Sequence, residues 1–166
     1  MSIKSDIYAY LDALCIPYAK ITHPPVHAIE DCRWAETQLG GVMPKNLLLT
    51  PRNQSAFTLC IICPDALFRT GCISKQLHSS RLSFAPESAL AMLHTYPDAL
   101  SPMGLIFPSA SDIRLTIDEQ LFHEPRLLFH PNDSAETLAM SGVDFFDRFL
   151  PATGHDPVFV DTKIEP

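Results

Sequence analysis

Gly40-Gly41-Val42-Met43-Pro44-Lys45-Asn46-Leu47-Leu48-Leu49-Thr50 passes from irregular loop to buried strand within a few residues. Two glycines and Pro44 break regular structure in the first half, and three consecutive leucines read as a strand in the second. Lys45-Asn46 stands at the junction. A lysine at the mouth of a buried strand has a partly desolvated ammonium, aimed from a rigid element, which suits stabilisation of a developing negative charge. The same spacing also suits a lysine that carries its head to water along an apolar stem.

Downstream, Pro51-Arg52-Asn53-Gln54-Ser55 is a turn and Ala56 to Cys63 a second strand, so the two strands form a hairpin. Upstream, Ile29 to Leu39 reads as a helix with Glu30 and Asp31 in its first turn, closed by Gly40-Gly41. Ile7, Tyr10, Leu11 and Leu14 recur at helical spacing in Asp6 to Leu14, a helix ended by Pro17. Further helices are expected at Ser74 to Ser79, Pro86 to Leu93 and Ser141 to Leu150, the last opening on a capping serine. Further strands are expected at Tyr18 to Thr22, Arg81 to Ala85, Arg114 to Ile117, Arg126 to Phe129 and Pro157 to Val160. The pattern predicts one α+β domain over residues 1–166, with a mixed, largely antiparallel sheet and helices packed on it.

Composition narrows the function. Apolar content of 46% and charged content of 19% in 166 residues suit a globular chain. The first residues carry acids among their apolar positions, which is not a signal-peptide pattern, so a cytoplasmic protein with no membrane partner is expected. Five cysteines without such a leader argue against a disulfide framework. Cys60 and Cys63 spell C-x-x-C, but three residues apart on a strand they face opposite ways and cannot grip one metal. A net charge of −7 opposes general nucleic-acid binding while leaving room for a local basic patch. Arg33, Lys20 and Lys45 are the cations expected to form it.

No nucleophile elbow, Walker loop or dinucleotide-binding glycine pattern is present. His23 and His27 are four apart, but Pro24-Pro25 forbids the helix that would align them, and they read as a turn residue and a surface residue. His130 ends an apolar strand before Pro131-Asn132-Asp133, where it is either structural or lines a pocket. Ser101, Pro102 and Gly104 mark a loop where the backbone approaches something closely.

His23-Pro24-Pro25-Val26, Pro44 to Leu49, Ser101-Pro102-Met103-Gly104-Leu105-Ile106, Phe129 to Asn132 and Gly154 to Asp161 occur in one order along almost the whole chain. That set resembles the prolyl-tRNA editing-domain family, which comprises the insertion domain of bacterial prolyl-tRNA synthetases and free-standing relatives. The C-terminal pattern is most similar to the free-standing Ala-tRNA(Pro) deacylases. The resemblance implies hydrolysis of the ester that joins a wrong amino acid to a tRNA, with Lys45 and Asn46 at the catalytic centre. Substrate-binding residues are expected at His130, Asp98, Ala99, Ser101, Pro102 and Gly104, with backbone amides of the Ser101–Gly104 loop holding the oxyanion. Water is the expected nucleophile, no metal or cofactor is expected, and the implied partners are a mischarged tRNA acceptor end and prolyl-tRNA synthetase. A relative that keeps the fold but only binds tRNA or a synthetase is the competing reading.

The sequence departs from the family pattern at one place. The pocket loop reads G-x-x-x-P in the family, and Asp98-Ala99-Leu100-Ser101-Pro102 puts aspartate where the glycine would stand. This departure bears on which amino acid is removed. Alanine comes first by resemblance, followed by serine, threonine and cysteine.

Overall fold

The computed structural model describes residues 2–26 and 29–164; His27 and the side chain of Asp31 lie outside the described residues. The strands are β1 (Ala19–Thr22), β2 (Lys45–Pro51), β3 (Thr58–Ile62), β4 (Leu82–Phe84), β5 (Arg114–Asp118), β6 (Arg126–Phe129), β7 (Glu136–Ser141) and β8 (Val158–Val160). The first three helices are α1 (Ile3–Ala13), α2 (Ile29–Leu39) and α3 (Thr70–Gln76). The α+β expectation holds, with two sheets in place of one. β1-β7-β6 is antiparallel throughout, while β4-β2-β3-β5-β8 is mixed, with β3, β5 and β8 parallel.

Alternation explains how the sheets share a core. Leu59 and Ile61 of β3 join the main apolar cluster, and Cys60 and Ile62 face the other way, with Ile73 of α3. In the smaller sheet, Leu127, Phe129, Leu138 and Met140 enter the same main cluster. Leu128 and Ala139 turn outward to Ala35 of α2. Each sheet therefore has the common core on one side and a helix on the other. Phe129, Phe145 and Phe149 are fully enclosed there, each worth roughly 1.5–3 kcal/mol of apolar burial.

The opening segment is the joint between the sheets. Val42 forms a bridge with Leu127, its N–H donating to the Arg126 carbonyl at 3.1 Å while its own carbonyl accepts from Leu128 at 2.9 Å. Gly41, at φ +102°, makes this approach possible, because a Cβ there would sit 2.5 Å from the Arg126 oxygen. The predicted β2–β3 hairpin is present, with Lys45 opposite Ile62 and Leu49 opposite Thr58.

The expected helix from Pro86 is a 3₁₀ run, Glu87–Leu93. Ser141 caps the C-terminal helix as predicted, accepting from the Asp144 N–H at 3.0 Å. That helix contains a π-turn, Phe145–Phe149, before its last segment Leu150–Thr153. Pro151 supplies the cause, since it has no N–H for the carbonyl four residues back. No helix among the described residues is long and apolar enough to cross a membrane.

Candidate active site

A cavity of about 650 Å³ opens where the joint between the sheets meets α2 and the loop after β3. Val42 to Leu47 form one wall, and Cys32, Arg33 and Glu36 of α2 form another. α2 is tied to the loop by the Met43 N–H, which donates to Glu36 Oε1 at 2.9 Å. Lys45 and Asn46 lie at the first positions of β2, where the sheet ends and both neighbours reach the cavity. Lys45 Nζ donates to the Ala66 carbonyl at 2.9 Å, which holds its head in place and leaves further N–H bonds to offer. Asn46 donates weakly to the Pro44 carbonyl at 3.4 Å, while its Oδ1 is buried with no hydrogen-bond partner.

His130 is 6% exposed and lines the same cavity. Its Nδ1 lies 2.8 Å from the Glu136 carbonyl. A carbonyl only accepts, so Nδ1 carries the proton and the neutral ring keeps a bare lone pair on Nε2. Burial holds the imidazole below the ordinary histidine value; the Glu136 carbonyl, Asp133 and Asp98 oppose this only in part, and His23 adds to it. The site thus sets the His130 ring and one fixed ammonium on the cavity wall, with the orphaned acceptor Asn46 Oδ1 buried just behind it.

Of the eight residues expected at the site, Lys45, Asn46, Asp98 and His130 line the cavity. Ala99, Ser101, Pro102 and Gly104 are buried behind its wall. The oxyanion role expected of the Ser101–Gly104 amides fails on geometry. The Met103 N–H is engaged by Ser101 Oγ at 3.1 Å and the Gly104 N–H by the Ser101 carbonyl at 3.4 Å. Ser101 Oγ also donates to the His130 carbonyl at 2.6 Å, so this loop braces the histidine strand from behind. The close approach predicted at Gly104 is to protein: a Cβ there would meet the Leu93 carbonyl oxygen at 2.4 Å.

Arg33 and Lys45 face one cavity, whereas Lys20 sits 4.4 Å over the Tyr8 ring. Tyr8 hydrogen-bonds the buried Glu136 carboxylate, and burial together with that contact pushes its phenol strongly upward. Cys60 and Cys63 face opposite ways as expected, Cys63 towards the cavity. Burial and the Asp118 carboxylate push the Cys63 thiol up to about 12, so it is no nucleophile at neutral pH. His23 is held at both nitrogens, by the Pro24 carbonyl at 2.8 Å and Thr137 Oγ1 at 2.7 Å. Sequence reading missed Glu36, Asp65 and Glu124, which with Asp98 give the cavity four carboxylates. They come from four separate segments, and no local pattern links them.

Known proteins of similar sequence and fold identify the family. Prolyl-tRNA synthetase associated domain-containing protein 1 of Xenopus laevis is 31% identical over 163 residues, covering 95% of this chain and 96% of that protein. Prolyl-tRNA editing protein ProX of Acetoanaerobium sticklandii is 28% identical over 156 residues, covering 93% and 94%. A crystal structure provisionally described as a trans-editing enzyme for prolyl tRNA synthetase shares the fold, with a TM-score of 0.71 at 13% identity, covering 97% of this chain and 98% of that one. The aminoacyl-tRNA editing domain matches residues 23–147, from the turn histidine through the joint, the cavity and the start of the C-terminal helix, and the chain belongs to that family.

Proposed function

We propose that the cavity hydrolyses the ester of a mischarged tRNA, with Ala-tRNA(Pro) as the first substrate and Ser-, Thr- or Cys-charged tRNA as the others. The observation that carries this reading is the convergence of Lys45, Asn46 and His130 on one cavity, with Asn46 Oδ1 unpartnered and the His130 proton fixed on Nδ1 by the Glu136 carbonyl. Water attacks the ester carbonyl, and the products are the free amino acid and the tRNA hydroxyl. The Lys45 ammonium stabilises the charge that develops on the carbonyl oxygen. Asn46 Oδ1 and His130 Nε2 accept hydrogen bonds from the attacking water and the ribose hydroxyl, which orients both. Asp98, exposed at the cavity wall, receives the substrate's α-ammonium. Such an enzyme answers a physical need, because a synthetase pocket rejects a slightly smaller apolar substrate by only about 1–3 kcal/mol.

The test is release of labelled amino acid from tRNA(Pro) charged with alanine, serine, threonine, cysteine or proline. Hydrolysis of at least one mischarged form, sparing Pro-tRNA(Pro), is expected. Binding of these tRNAs without hydrolysis above the uncatalysed rate overturns the reading in favour of a binding relative.

A further inference from the structure

Beside the cavity lies a second groove of about 350 Å³, lined by His23, Pro24, Pro25, Val26, Glu30 and Trp34. It shares Val26 with the first and, like it, is lined on one side by α2. Trp34 is the chain's single tryptophan, and it is 49% exposed on α2 instead of being built into the core. Its ring meets His23 edge-on at 6.1 Å between centroids, and His23 meets His130 at a further 6.1 Å. His23 cannot turn away, because both of its ring nitrogens are bonded. The groove therefore has a rigid floor of His23 and two prolines, with one open aromatic face. Glu30 stands one helical turn before Trp34 on the same face of α2 and offers carboxylate oxygens as hydrogen-bond acceptors.

We infer that this groove is a nucleobase platform: Trp34 stacks a base of the unpaired 3′ end of the tRNA, and Glu30 accepts from that base's exocyclic amino group. The inference rests on the deacylase reading for the identity of the nucleic acid. Three features carry it. A flat, half-exposed indole over a rigid floor matches the shape of a base and offers a sequence-tolerant contact. A carboxylate beside it selects a base bearing an amino group, as acidic side chains do at cytosine N4. The ring-to-ring path from Trp34 through His23 to His130 brings such a base within reach of a ribose whose ester is held between His130 and Lys45. The same arrangement meets the problem posed by an acidic chain, since stacking needs no phosphate neutralisation.

Two measurements test it. The emission of Trp34 reports on the groove alone, because no other tryptophan contributes. An RNA minihelix of acceptor-stem type, carrying its unpaired 3′ nucleotides, is expected to quench that emission, and the same duplex cut flush at that end is not. In fluorescence anisotropy with the labelled full minihelix, Trp34→Ala is expected to weaken binding roughly tenfold, Trp34→Phe to restore most of it, and Glu30→Gln to lie between. Equal quenching by the flush duplex, or wild-type affinity in Trp34→Ala, overturns the platform. These readouts need no turnover. Absent hydrolysis with an intact Trp34 response removes the deacylase reading alone, and normal hydrolysis with a silent Trp34 removes the platform alone.

Discussion

In the proposed mechanism, Lys45 is the residue on which the chemistry depends most. Lys45→Ala is expected to slow deacylation about 10²–10³-fold, the usual cost of one lost transition-state donor, as read by single-turnover release of alanine. Wild-type turnover in that folded variant would remove its catalytic assignment. Asn46→Ala should lose less, since the amide positions a partner without adding charge. Asp98 occupies the cavity wall where the family pattern has glycine. Asp98→Gly is expected to change the ratio of rates among Ala-, Ser-, Thr- and Cys-charged tRNA, because one pocket contact is worth about 1–3 kcal/mol. An unchanged profile would make Asp98 a turn residue only. His130 gives a pH prediction with a definite sign. Its folded-state value is lowered by burial, so below about pH 6.5 the unfolded chain binds more protons than the folded one. Its contribution to stability is whole above that value and shrinks as pH falls through the window beneath it. Melting temperature between pH 7 and pH 5 should therefore fall less in His130→Gln than in wild type, and equal slopes would refute this.

At the scale of elements, the Ser101–Gly104 loop acts as a brace. Ser101→Ala leaves the His130 carbonyl and the Met103 N–H without their buried partner, at a cost of about 1–3 kcal/mol in urea unfolding. Gly104→Ala should cost more, since its new carbon would collide with the Leu93 carbonyl. The motif was legible in the sequence, but its direction was not: small residues beside proline look alike whether the backbone approaches a ligand or another backbone. The β2–β3 hairpin was legible because two apolar runs flank a turn, and the C-terminal helix because Ser141 caps it. β7 was not. Leu, Ala and Met in Glu136–Ser141 carry no strand preference, and pairing with β1 and β6 on either side decides the matter. The division into two sheets was hidden for the same reason, since periodicity reports which face is buried and not which strand lies alongside. In the site, Lys45, Asn46 and His130 stood out at element boundaries. Trp34 and Glu36 sat unremarked inside a helix whose outward face has no local mark of purpose.

The whole molecule is acidic, with a net charge of −7, while Arg33 and Lys45 are the cations that line the cavity among the described residues. Affinity for tRNA should fall only gently with salt: at about 0.7–0.9 per phosphate contact, two cations make the slope of log K against log salt no steeper than about −1.8. A slope matching about six or more contacts would mean that a larger cationic surface takes part. Placing the cavity at the junction of two sheets gives it walls from distant parts of the chain, held by their common core. The junction itself is drawn in main-chain hydrogen bonds between Val42 and residues 126–128, which carry no side-chain identity. Inheritance can therefore respell almost every letter around it, and two descendants sharing few residues can still keep the same hinge between their halves. Gly41 lacks that freedom: there, the junction requires the absence of a side chain.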